Sequence, residues 1–172
     1  MKRLPFSLMA GPLLVAATIQ STPDLGTAEG RCRPNELGPS FLVNVEGLKD
    51  RTGKLKLEVY PANNSDFLED DNVLISAGKI FRRVEQSVSA SGPVQLCVRV
   101  PSAGSYAVSL LHDRDSNRKF SWRVDGIGFA GNPRLGWSKP AASSASAVAR
   151  SGPTQIEIVM NYRRGLGMRP LR

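Results

Sequence analysis

The feature that most constrains this chain is a two-residue alternation of apolar and polar side chains, repeated in short stretches from residue 41 onward. Phe41, Val43 and Val45 alternate with Leu42, Asn44 and Glu46. Leu55, Leu57 and Val59 alternate with Lys54, Lys56 and Glu58, and Val94, Leu96, Val98 and Val100 with Gln95, Cys97 and Arg99. Tyr106, Val108 and Leu110 follow Gly104, and Ile156, Ile158, Met160 and Tyr162 close the series. Each stretch has the pattern of a strand with one buried face. A weaker strand spans Lys79 to Val88, through Ile80, Val84 and Val88. Leu48–Gly53 and Pro101–Gly104 read as turns, and Asn63–Asp66 as the cap of a short helical turn reaching about Asn72. No long stretch has helical periodicity. The fold class expected is all-β, an antiparallel β-sandwich of about seven strands.

The first residues read as an export signal. Lys2 and Arg3 precede the mostly apolar Leu4–Ala17, and small-residue cleavage sites follow at Val15-Ala16-Ala17 and Gly26-Thr27-Ala28. The expected organisation is a leader over 1–28, an N-terminal segment over 29–40, a sandwich over 41–165 and a basic tail over 166–172. The expected location is the periplasm or the extracellular space. No apolar run reaches 18 residues, so no transmembrane span is expected. In an oxidising compartment the two cysteines, Cys32 and Cys97, form a disulfide. It would close a loop of about 66 residues, worth roughly 4 kcal/mol in the chain-entropy model. Cys97 is out of phase with its apolar neighbours, so the bond is expected to pin the N-terminal segment across an outer face or edge. The formal charge is +8. The basic tail is expected to be solvated; the alternative, in an exported protein, is that it meets an anionic envelope surface rather than nucleic acid.

The stretch "GSYAVSLLHDRDSNRKF", then "DGIGFAGNPRLGWSKP", then a final strand ending "NYRRG", resembles the DUF2141 family of exported bacterial proteins over roughly residues 41–165. That family is uncharacterised. The resemblance implies export and an immunoglobulin- or transthyretin-like sandwich, and no activity. The transthyretin-like hydroxyisourate hydrolases use several histidines and a C-terminal Tyr-Arg-Gly-Ser. This chain has one histidine, and Tyr162-Arg163-Arg164-Gly165 is not its last segment.

Asp113, Asp115 and Asn117 stand at the first, third and fifth positions of a calcium-loop spacing. Arg118 occupies the usual glycine position and Val124 that of the bidentate glutamate. The expectation is therefore a polar turn without a cofactor, calcium being the alternative, with arginines paired to Asp113 and Asp115. His112 alone cannot supply a histidine metal cluster, a disulfide removes a thiolate nucleophile, and no G-x-S-x-G elbow is present. The chain is therefore expected to be no enzyme; a hydrolase using His112 is the remote alternative. Asp125–Pro140, rich in Gly and Pro, is expected to be a long functional loop. Trp137 there could stack on a sugar ring beside Asn132 and Arg134. Alternatively, Phe129 and Trp137 fold back over an open end of the sandwich, as large aromatics usually do. The expected ligand surface joins His112, Asp113, Asp115 and Asn117 to Asn132, Arg134 and Trp137, and its partner is an envelope glycan or protein. A structural envelope protein without a small ligand is the other reading.

Overall fold

A computed structural model describes residues 18–171. The leader segment Lys2–Ala17 lies outside the described residues. Among them are ten strands. These are β1 (Ser40–Glu46), β2 (Lys54–Pro61), β3 (Arg82–Ser87), β4 (Val94–Arg99), β5 (Gly104–Asp113), β6 (Gly126–Phe129), β7 (Ser146–Ala149), β8 (Pro153–Val159), β9 (Asn161–Arg164) and β10 (Gly167–Pro170). Two short helices accompany them, α1 (Thr27–Gly30) and α2 (Asp71–Ser76). The small sheet runs β4-β1-β8; the large one runs β10-β9-β6-β5-β2-β3, with β7 also paired to β5.

The alternating residues meet between the sheets. Phe41, Val43, Leu96, Val98 and Ile158 from the small sheet pack on Leu55, Leu57, Val59, Val108 and Leu110 from the large one. The sandwich is thus the expected fold, with three departures. First, β1 and β8 pair in parallel. The chain reaches β8 from β7 in the opposite sheet, and that crossover sets the direction that no hairpin could give. Second, the run Ile156–Tyr162 is two strands in different sheets, β8 and β9. Its alternation is unbroken because both halves face the same core. Third, the C-terminal residues are not a free tail: β10 forms a hairpin with β9. Its turn is Gly165-Leu166, with Gly165 at φ 64°, the left-handed geometry a two-residue hairpin favours.

The disulfide joins Cys32 to Cys97, Cα atoms 5.9 Å apart. Cys97 lies on the face of β4 away from the core, and Arg31 bridges to Val98, so the bond pins the N-terminal segment to this strand as expected.

The folded unit begins earlier than residue 29. The Gly26 carbonyl accepts the Arg83 amide at 3.0 Å, and the Thr22 carbonyl accepts Arg83 Nη1 at 3.1 Å. Gly30 packs so closely on Arg83 that a Cβ would stand 2.8 Å from its carbonyl oxygen. A boundary at Ala28 therefore cuts through packed structure, whereas one at Ala17 leaves it whole. A chain starting at Glu29 should be about 1–3 kcal/mol less stable than one starting at Thr18, from these lost hydrogen bonds. Urea unfolding of the two forms measures the difference, and equal midpoints would contradict it.

Candidate functional site: an aromatic cleft on the outer face of the large sheet

Side chains on the outer face of β2, β5 and β6 build a second, smaller core. Tyr60, Ala107 and Phe129 pack against Phe67, Leu74, Phe81, Ala142 and Ala145. Tyr60 meets Phe67 and Phe81 edge-on, with ring centroids 5.7 and 5.5 Å apart, and Phe67 meets Phe129 in the same way. The cover is the segment 62–81, including α2, together with residues 130–145. The Asn63–Asp66 turn forms where expected, with Asn63 Oδ1 accepting the Asp66 amide at 2.9 Å. The helix is α2, which begins where the sequence reading placed its end.

The presumed Gly-rich loop Asp125–Pro140 begins as a strand. Gly126 and Gly128 of β6 point into the main core. There a Cβ would stand 2.3 Å from the Tyr162 ring and 2.5 Å from Ile158. These glycines mark close packing rather than a turn, and they leave Ile127 and Phe129 facing outward.

Where the cover ends, the second core opens into a cleft of about 450 Å³. Its walls include Phe120, Trp122, Ile127, Phe129, Leu135, Trp137, Leu166 and Met168. Phe129 is buried, as one alternative expected, but Trp137 is 90 % exposed and does not fold back. The loop is tied at both ends. Asn132 donates from Nδ2 to the Glu157 carbonyl and accepts the Val159 amide at Oδ1. Lys139 Nζ donates to the Phe67 carbonyl at 2.8 Å, and Asn64 Oδ1 accepts the Ala142 amide. Trp137 stands between these anchors. Across the cleft, the Arg163 guanidinium lies 4.4 Å from the Trp122 ring centroid, with Arg123 at 5.7 Å. Phe120, Trp122, Leu166 and Met168 escaped the sequence reading, because they lie outside its alternating stretches and gather only when the β9–β10 hairpin closes.

The expected site therefore divides. Trp137 and Arg134 lie at the exposed end, while the amide of Asn132 is spent on β8. The Asp/Asn turn is a separate, self-satisfied unit. Asp113 accepts the amides of Asn117 and Arg118, and Asp125 those of Arg114 and Ser121. Asp113, Asp115 and Asp125 bring one carboxylate oxygen each to within 4.8 Å of one another. Burial pushes the Asp113 carboxyl above its ordinary value, and the neighbouring carboxyls Asp115 and Asp125 add to the shift, against the two amides. Asn117 Nδ2 donates to Asp115 at 2.7 Å. The arginines do not pair with Asp113 and Asp115 as expected. Arg114 pairs with Asp50, and Arg118 with Glu85 at 2.7 Å.

His112 is fully buried on the inner face of β5, so it cannot belong to a ligand surface. Its Nε2 lies 2.8 Å from the Thr52 carbonyl, which only accepts, so Nε2 is the protonated nitrogen. Nδ1 then accepts the Tyr162 hydroxyl at 2.6 Å, and that oxygen accepts the Lys49 amide at 3.1 Å. Burial pulls the imidazole below its ordinary value, and it pushes the Tyr162 hydroxyl up to about 12.

A second cleft, of about 580 Å³, lies over the polar part of the outer face beside α2. Arg83 bridges Glu58 at 2.8 Å and Asp71 at 2.9 Å, and the Tyr60 hydroxyl donates to Glu58. Burial raises the Asp71 carboxyl, but hydrogen bonds from Ser21 and Arg83 outweigh it and hold the group below its ordinary value. Arg83, Glu58 and Asp71 answer one another, which makes these three a structural ion cluster.

Two predictions follow from these networks. A neutral His112 resists protonation that the unfolded chain accepts below about pH 6.5. Stability should therefore fall as pH drops from 6.5 toward 5, by up to about 1.4 kcal/mol per pH unit. Tyr162 gives the opposite limb, with stability falling as pH rises from 10 toward 12. A urea midpoint flat between pH 8 and 5 would contradict the histidine assignment. For the turn, Asp125→Ala leaves two part-buried amides without their acceptor and should cost about 1–3 kcal/mol, read from the same unfolding curves.

Among the described residues, no helix is long and apolar enough to cross a membrane. Neither curated proteins nor solved structures gave a match to the chain. The profile of a family described as an uncharacterized protein conserved in bacteria matches residues 43–157, the span from β1 to β8, with the Leu166 and Met168 edge of the cleft beyond it. The chain belongs to that family, DUF2141.

Proposed function

We propose that this protein is an exported, non-catalytic binding domain of the cell envelope, and that the aromatic cleft is its recognition surface. The observation that carries the reading is Trp137, 90 % exposed on a loop tied down at both ends, opposite Trp122 and Phe120. Exposed aromatic clusters of this kind mark interaction sites. An anchored loop presents its tryptophan at low entropic cost. The disulfide supports export into an oxidising compartment. The burial of His112, with both ring nitrogens engaged, speaks against a hydrolase. The four amides that satisfy Asp113 and Asp125 close that turn without a metal, so binding needs no cofactor in this reading.

The test is capture from envelope extract by the oxidised protein and by Trp137→Ala/Arg134→Ala. The expected result is a retained component lost in the variant, with at least a thirtyfold weakening, since truncating a tryptophan at the centre of an interface costs about 2 kcal/mol or more. Equal capture by both forms would instead favour a structural envelope protein without a ligand at this cleft.

A further inference from the structure

The cleft has an apolar centre and a basic margin, and the two are continuous. A neighbouring cavity lined by Leu135, Trp137, Leu166 and Met168 also contains Arg164 and Arg169. The next one shares Leu135 and Met168 and adds Arg134. No carboxylate lines any of the three. Among the described residues no carboxylate pairs with Arg134, Arg163 or Arg169. The chain concentrates this charge: from Gly126 onward it holds a single acid, Glu157, against Arg134, Lys139, Arg150, Arg163, Arg164, Arg169 and Arg172.

The cleft offers little to a glycan. Besides the indole N–H groups of Trp122 and Trp137, only Ser138 and Lys139 bring polar side-chain atoms to its lining, and the Lys139 ammonium is committed to the Asn64 and Phe67 carbonyls. Two strongly exposed apolar side chains, Trp137 at 90 % and Leu166 at 73 %, stand here on a loop and on the turn of the β9–β10 hairpin. Tryptophan and leucine at protruding tips, with arginines around them, match the layering of a bilayer surface, where anionic phosphates lie above an apolar interior.

We propose that this face docks on an anionic phospholipid membrane, Trp137 and Leu166 entering the boundary between headgroups and acyl chains while Arg134, Arg163 and Arg169 face the phosphates. The proposal rests on the reading of the cleft as the recognition surface and names what it recognises. Each basic side chain near an anionic surface strengthens partitioning roughly fivefold, and the contribution is screened by salt.

The experiment uses the full chain with vesicles of phosphatidylglycerol and phosphatidylcholine, and with vesicles of phosphatidylcholine alone, followed by co-sedimentation and tryptophan emission. The expected result is binding to the anionic vesicles, weakened by salt, with a blue shift of emission. Trp137→Ala/Leu166→Ala should lose the shift and at least tenfold in partitioning. Arg134→Glu/Arg169→Glu should lose at least tenfold on anionic vesicles only. Equal binding to both vesicle types, or binding undiminished in both variants, assigns it to the N-terminal apolar segment and overturns the proposal. So does salt-sensitive binding without an emission shift, which is charge alone. If no vesicle binds while capture from envelope extract still depends on Trp137, the lipid is wrong and the recognition surface stands. If both fail, both readings fall.

Discussion

The large sheet is apolar on its inner face and, around Tyr60, Ala107 and Phe129, on its outer face as well, and the need to cover that second patch governs what is built there. The first face is buried by the small sheet. For the second, the chain lays down residues 62–81 and 130–145, whose aromatic and alanine side chains close over Tyr60, Ala107 and Phe129. The cover runs out at Leu68 and Leu135, both half-buried. Beyond them Ile127, Phe120 and Trp122 continue the apolar layer without an apolar cover, the Arg163 guanidinium lying over the Trp122 ring. The cleft is thus the unfinished edge of a core, and its rigidity comes from the finished part: Asn132, Lys139 and Ala142 tie the loop to elements the second core holds in place.

The pleat of β5 decides which residues can act together. His112 and Asp113 are adjacent in sequence, but successive side chains of a strand point to opposite faces. His112 turns inward to Tyr162 and Thr52, while Asp113 turns outward to cap the following turn. A His-Asp pair that looks like paired chemistry in the sequence is two unrelated structural devices, one on each side of the sheet. Gly126 belongs to the first of them. Its missing Cβ makes room for the Tyr162 ring, and that ring supplies the hydroxyl the histidine needs.

The sandwich, its main core and the disulfide were legible because period-two alternation reports burial directly, and because the phase of Cys97 tells which face it occupies. What stayed hidden has physical reasons. Glu58 reads with Lys54 and Lys56 as the polar phase of its strand, since alternation assumes one wet side, whereas here it is buried in an ion cluster on a partly covered outer face. Gly126 and Gly128 read as loop because glycine signals both turns and close packing. The basic tail read as unstructured because four residues of β10 are too few to show a period. For Trp137 the sequence left two placements open, exposed or folded back, because which of Phe129 and Trp137 fills the space above the sheet is decided by tertiary packing, and it is Phe129 that is buried. Phe120, Trp122, Leu166 and Met168 gave no signal, since they come together from two segments far apart in the sequence.

The charge distribution follows from the same division of labour. Most carboxylates of the N-terminal two thirds are occupied within the fold. Glu58 and Asp71 face Arg83, Glu85 faces Lys54 and Arg118, Asp66 faces Lys79, Asp50 faces Arg114 and Glu36 faces Arg99. The Arg114 contact holds the Asp50 carboxyl well below the usual carboxylate range, so that pair persists into acid. Pairing on this scale leaves the net +8 nowhere to reside except where acids are missing, which is the C-terminal third. That third also supplies the hairpin and loop around the exposed aromatics. Excess positive charge and unburied apolar surface are each unfavourable for an isolated domain, the first through self-repulsion and the second through hydration. Their concentration at one end of one sheet gives both the same remedy, a partner that is anionic at its surface and apolar beneath.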